Sequence, residues 1–71
     1  MEYIQVESSM IDLVGYDAEK KVLEVRYLAS QTKYKYLNVP QNIYDDLLLA
    51  TSKGTYMNAY IIDKYLFEKL N

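Results

Sequence analysis

The chain has 71 residues, 51% hydrophobic and 25% charged, with two glycines, one proline and neither cysteine nor histidine. That length makes one domain burying roughly 60% of its unfolded surface, a core worth only ~3–5 kcal/mol net with no disulfide to supplement it. Without thiols and imidazoles there can be no thiolate or imidazole metal site, no cysteine nucleophile and no triad with a histidine base, and a net charge of −2 with a pI near 4.9 gives no overall basic field to recruit polyanions. Within this composition the aromatic residues are unusual: nine tyrosines, one phenylalanine and no tryptophan. No apolar run approaches the ~20 residues that span a bilayer, and Met-Glu-Tyr-Ile at the start lacks the charged and apolar regions of a signal peptide. The expectation is a single domain over residues 1–71, complete in itself, cytoplasmic and without a membrane partner.

In chain order, residues 3 to 40 read as strands and residues 41 to 70 as helices. Ser9 to Asp17 carries apolar residues on both faces, which predicts a well-covered strand, with Gly15 marking a bulge or bend. Asp17-Ala18-Glu19-Lys20 predicts the turn into the next strand. In Lys21 to Leu28, Leu23, Val25 and Tyr27 alternate with Glu24 and Arg26, the pattern of a half-buried strand. Thr32 to Leu37 alternates likewise, with Tyr34 and Tyr36 on one face and Lys33 and Lys35 on the other. The hairpin register is open: Tyr34 and Tyr36 can face Tyr27, Val25 or Leu23. Val39-Pro40 ends the strand and starts a helix over Gln41 to Ala50, with Ile43, Leu47 and Ala50 at helical spacing and Asp45 and Asp46 near its positive end. Thr51-Ser52-Lys53-Gly54 breaks that helix and caps a second one, striped by Met57, Ile61 and Tyr65 and flanked by Tyr56, Tyr60 and Phe67. The fold class is α+β: a three-stranded antiparallel β-meander covered by two α-helices, βββαα.

Ser8-Ser9, Ile11, Val14-Gly15-Tyr16-Asp17, Leu23, Val25, Tyr34 with Tyr36, Val39-Pro40, Tyr44, Ala50, Ser52, Gly54-Thr55-Tyr56, Asn58, Ile61 and Tyr65 together resemble the KTSC domain family, named for the C-terminal region of some lysyl-tRNA synthetases. The resemblance spans residues 6 to 67. It implies a fold more than an activity: RNA binding is suggested by the synthetase context, and members also occur as free-standing domains in bacteria and phages. Three departures stand out. The family's glycine near the tip of the second hairpin is missing, and Ala29 to Thr32 is one residue longer. Two positions often basic in the family are Ala59 and Ile62, which weakens phosphate binding. A proline often found after the last matched tyrosine is Leu66, so the second helix is expected to run on toward Asn71.

Lys33-Tyr34-Lys35-Tyr36 interleaves rings for base stacking with ammonium groups for phosphate. On a flat strand the two types face opposite sides, which favours Tyr34 and Tyr36 as inner-layer packing and the lysines as a solvated face. Ser52-Lys53-Gly54-Thr55-Tyr56 joins a helix N-terminus, a glycine and a lysine, a phosphate-binding combination without P-loop spacing; the structural reading has Ser52 capping and Gly54 allowing close packing. Ser8 and Ser9 lack a histidine base, and Asp45-Asp46 diverge on a helix, so neither catalysis nor a metal site is expected.

The leading functional expectation is a non-enzymatic binding module without a cofactor. It would hold RNA or a small nucleotide in a tyrosine-lined cleft between sheet and second helix, using Tyr34, Lys35, Tyr36, Ser52, Lys53, Gly54 and Tyr56. The alternative is a protein-interaction module, such as a phage-type effector or inhibitor of a host protein, docking through Tyr60, Ile61 and Phe67. The apolar residues on several sides of the last helix also suggest a homodimer.

Overall fold

The computed structural model describes residues 1–70. It contains β1 (Tyr3–Gln5), β2 (Ile11–Asp17), β3 (Val22–Tyr27), β4 (Lys33–Tyr36), α1 (Gln41–Leu49), α2 (Lys53–Tyr60) and β5 (Phe67–Leu70). The class is α+β with two helices, as the patterning predicts, but the sheet has five antiparallel strands in the order β1-β2-β3-β4-β5 rather than three. The additional strands lie at the two edges. β1 is three residues long, too short for alternation to register. β5 replaces the expected continuation of the second helix: α2 ends at Tyr60, where the Ile61 and Ile62 amides both donate to the Met57 carbonyl at 2.9 and 2.8 Å, and Asp63 turns into the left-handed region at φ 66°. The chain then returns to pair Phe67 with Tyr36 and Lys69 with Tyr34. Tyr65 and Phe67 are therefore not helical. The expected course to Asn71 ends outside the described residues.

The bulge lies at Asp12 and Leu13, not at Gly15: Ile11 pairs with Tyr27 and Leu13 with Arg26, so two residues of β2 face one of β3. That extra residue resets the phase of β2 and lets Ile11 and Val14, three apart, share the helix-facing side; both are fully buried. Gly15 serves the opposite face. A Cβ there would sit 2.8 Å from Tyr3 Cδ1 and 3.0 Å from the Glu2 carbonyl, so the missing side chain lets β1 and the Tyr3 ring lie across β2. The open hairpin register resolves as Val25 opposite Tyr34 and Leu23 opposite Tyr36. The predicted turn forms, with Asp17 Oδ1 accepting from the Glu19 and Lys20 amides.

The helices cover one face. Leu23, Val25, Ile11 and Val14 from the sheet meet Leu47 of α1, Met57 of α2, and Val39 and Ile61 from the connections, all fully buried. Pro40 is the N-cap of α1. Asp45 and Asp46 are exposed in the second turn of α1, not the first, and no group of acidic side chains among the described residues could hold a metal ion. Tyr16 stacks on Tyr44 with centroids 4.9 Å apart, and its hydroxyl donates to the Val39 carbonyl. Among the described residues no helix is long and apolar enough to cross a membrane.

Candidate functional site

Pairing Tyr27, Tyr34 and Tyr36 on the helix-facing side, then adding Phe67 from β5, concentrates four rings at one end of the sheet. Tyr34 is at their centre. Its ring is edge-on to Tyr27 at 5.4 Å, nearly parallel to Tyr36 at 6.3 Å and tilted by 41° to Phe67 at 5.6 Å. The helices do not reach far enough to cover this end, because α2 stops at Tyr60. A cleft of about 360 Å³ is left open, lined by Tyr27, Ser30, Tyr34, Tyr36, Ile62, Asp63 and Phe67. That volume falls in the lower part of the ~300–1,000 Å³ range of small-ligand sites.

The polar groups of the cleft divide into a satisfied base and an open rim. The hydroxyls of Tyr27 and Tyr36 share a hydrogen bond of 2.7 Å. Burial, with that bond added, pushes the Tyr27 phenol well above the usual tyrosine range. Burial also raises Tyr36, over the lowering effect of the same bond, and the negative charges of a deprotonated Tyr34 and of Asp63 act in the raising direction too. At the rim, Asp63 is exposed, and none of the three ion pairs of the described residues includes it.

The structure separates most of the residues expected to form one site. Tyr34 and Tyr36 line the cleft; Lys35, on the outer face, pairs with Glu68 at 3.8 Å. Ser52 does cap α2, accepting from the Thr55 amide at 3.3 Å. Lys53 turns back and donates to the Ala50 carbonyl at 3.0 Å, binding together the end of α1 and the start of α2. Gly54 admits Met10, whose Sδ would lie 3.0 Å from an added Cβ, so its role is packing. Tyr56 packs on Tyr60 at 4.7 Å and does not line the cleft. Ser52, Lys53, Gly54 and Tyr56 thus lie at the helix junction, outside the cleft that Tyr34 and Tyr36 line. Ile61 is fully buried and cannot dock a partner, while Tyr60 and Phe67 are exposed. Ile62, Asp63 and Ser30 are cleft residues that patterning missed, because each lies in a connection where periodicity carries no signal.

This domain, a sheet with two helices on one face, matches the KTSC domain over residues 7–65. The chain belongs to the KTSC domain family. Its fold coincides with the crystal structure of a KTSC domain protein from Yersinia pestis at a TM-score of 0.94 and 31% identity, covering 99% of this chain and 97% of the other. It is also similar to a protein of Tsukamurella paurometabola, 38% identical over 84% of this chain and 88% of that one. A lysine–tRNA ligase of Nostoc punctiforme is 32% identical over 96% of this chain and 12% of the ligase.

Proposed function

We propose that this KTSC protein is a non-enzymatic binding module that receives a side chain of a protein partner in the cleft between Tyr34, Phe67 and Asp63. The observation that carries this reading is the four-ring cleft itself, left open at the end of a sheet whose remaining apolar positions on that face are covered by helices. The RNA or nucleotide expectation draws support from the tRNA ligase relative and from ring faces suited to stacking. The charge of the lining favours it less: Lys53 and Lys35 are engaged elsewhere, Lys64 and Lys69 stand beside the cleft, and the lining itself contains Asp63 and no lysine or arginine. The homodimer expectation rested on apolar residues of one long helix; Leu66 and Phe67 instead follow the turn after α2, where they are exposed together with Tyr60.

The test is a titration followed by the ring resonances of Tyr34, Tyr36 and Phe67. Capped tripeptides of mixed sequence should shift these rings saturably at moderate salt, whereas mixed single-stranded oligonucleotides and the common nucleotides should leave them in place. Ring shifts with nucleotides but not with peptides would overturn the protein-partner reading.

A further inference from the structure

We propose that the group bound in the cleft is a guanidinium, the side chain of an arginine presented by the partner. This rests on the preceding reading of the cleft as a protein-binding site and adds the chemistry of the bound group.

Two features of the cleft point to a planar cation. The rings stand at angles to one another: Tyr27 is at 81° to Tyr34, and Phe67 is at 41° and 43° to Tyr34 and Tyr36. Aromatic faces carry negative quadrupole density, so rings converging at angles form a cage that attracts positive charge. An aromatic ligand would need two parallel faces to sandwich it. Tyr34 and Tyr36 are nearly parallel but only 6.3 Å apart, and Tyr34 and Phe67 only 5.6 Å apart, so neither pair leaves such a slot. The second feature is the charge inventory. Asp63 is the one charged residue of the lining. Its backbone is held beside the cleft by the hydrogen bonds of Ile62 to Met57 and of Lys64 to Ile61. Two lysines stand beside the cleft without lining it: Lys64 lines a neighbouring depression that shares Asp63 and Phe67, and exposed Lys69, directly opposite Tyr34 in the ladder, lies on the same face of the sheet, so Asp63 is the only charge in the lining itself. A guanidinium can lie flat against a ring while its N–H groups point to a carboxylate, and it is more weakly hydrated than an ammonium, so burial against rings costs it less.

The experiment uses the full chain and two capped pentapeptides, Gly-Ser-X-Ser-Gly, with X either arginine or citrulline, its neutral isostere. Followed by the Tyr34, Tyr36 and Phe67 ring resonances, the arginine peptide should bind at least fivefold more tightly than the citrulline peptide. Asp63→Asn should lower that preference at least threefold. Asparagine tolerates the left-handed backbone at this position, so the variant keeps the fold. Phe67→Leu, at an exposed edge-strand position, keeps apolar bulk but removes a ring face and should weaken the arginine peptide selectively. Equal binding of the two peptides would overturn the guanidinium while leaving the cleft as a binding site. An unchanged preference in Asp63→Asn would overturn the role of the carboxylate. If neither peptide moves any of the three rings, the protein-binding reading falls along with it.

Discussion

Gln31 occupies the left-handed region at φ 55° in the β3–β4 hairpin, a conformation that glycine adopts without strain. A side chain there costs ~1–2 kcal/mol, part of which glycine returns through the greater freedom of its unfolded chain. Gln31→Gly should therefore stabilise the domain by up to about 1 kcal/mol, read as a rise in urea midpoint at unchanged slope. The tyrosines, equally, are explained one at a time. Tyr16 is stacked on Tyr44, Tyr3 lies across Gly15 with its hydroxyl donating to Glu24, and Tyr27 and Tyr36 bond to each other. In a small domain few side chains are far from water, and a large ring with a polar tip suits such a core. Tyr60, 55% exposed, has no comparable structural account beyond its packing on Tyr56.

The bulge in β2 explains the one buried charged residue among the described residues. By placing Asp12 beside Leu13 on the outer face, it brings the Asp12 carboxylate to Arg26, whose Nε and Nη2 donate to the same oxygen at 2.9 and 2.8 Å. The Asp12 side chain is only 11% exposed. Arg26→Met removes both donors and leaves a nearly buried carboxylate without a cation, at an expected cost of about 1–3 kcal/mol; the double variant Asp12→Asn, Arg26→Met should cost less than Arg26→Met alone. Chemical denaturation of the two variants decides it. Lys33 extends the same charged surface, 3.8 Å from Glu24 and over the Tyr3 ring, so the outer face of the sheet is occupied by mutually satisfied polar groups. The alternating Lys33 and Lys35 were legible as this solvated face in the sequence. Edge strand β5 was not, because Leu66, Phe67 and Leu70 fit a helical stripe as well as they fit a strand.

Over the whole molecule the accessible surface is 4582 Å². Against the ~12,000 Å² of an unfolded chain this size, roughly 60% is buried, as length alone implies. A core this thin makes the buried phenols consequential. Tyr27 and Tyr36 have folded-state pKa values raised above the ordinary value of 10.0. Their contribution to stability is complete below pH ~10, and is lost as the pH rises from there toward the folded-state values, because only the unfolded chain ionises readily in that window. Urea midpoints should hold steady from pH 8 to 9.5 and fall above pH ~10, and the late part of tyrosinate absorbance should rise together with loss of far-UV ellipticity. In Tyr27→Phe, Tyr36→Phe the fall should be shallower.

Alternation and helical spacing, both local properties, were enough to determine the strands β2 to β4, the break at Val39-Pro40, the two helices and the faces on which Tyr34 and Lys35 lie. The resemblance to the KTSC family came separately, from short motifs and their order along the chain. The hairpin register, the bulge at Asp12, the ends of α2 and the fate of Leu66 to Leu70 were decided by tertiary structure. A four-residue segment has too few positions to distinguish periods of 2 and 3.6, and the unpaired edge of β4 selects between them. The candidate site follows that division: Tyr34 and Tyr36 came from the pattern, whereas Asp63 and Phe67 join them only because the chain turns back after Tyr60 and pairs with β4.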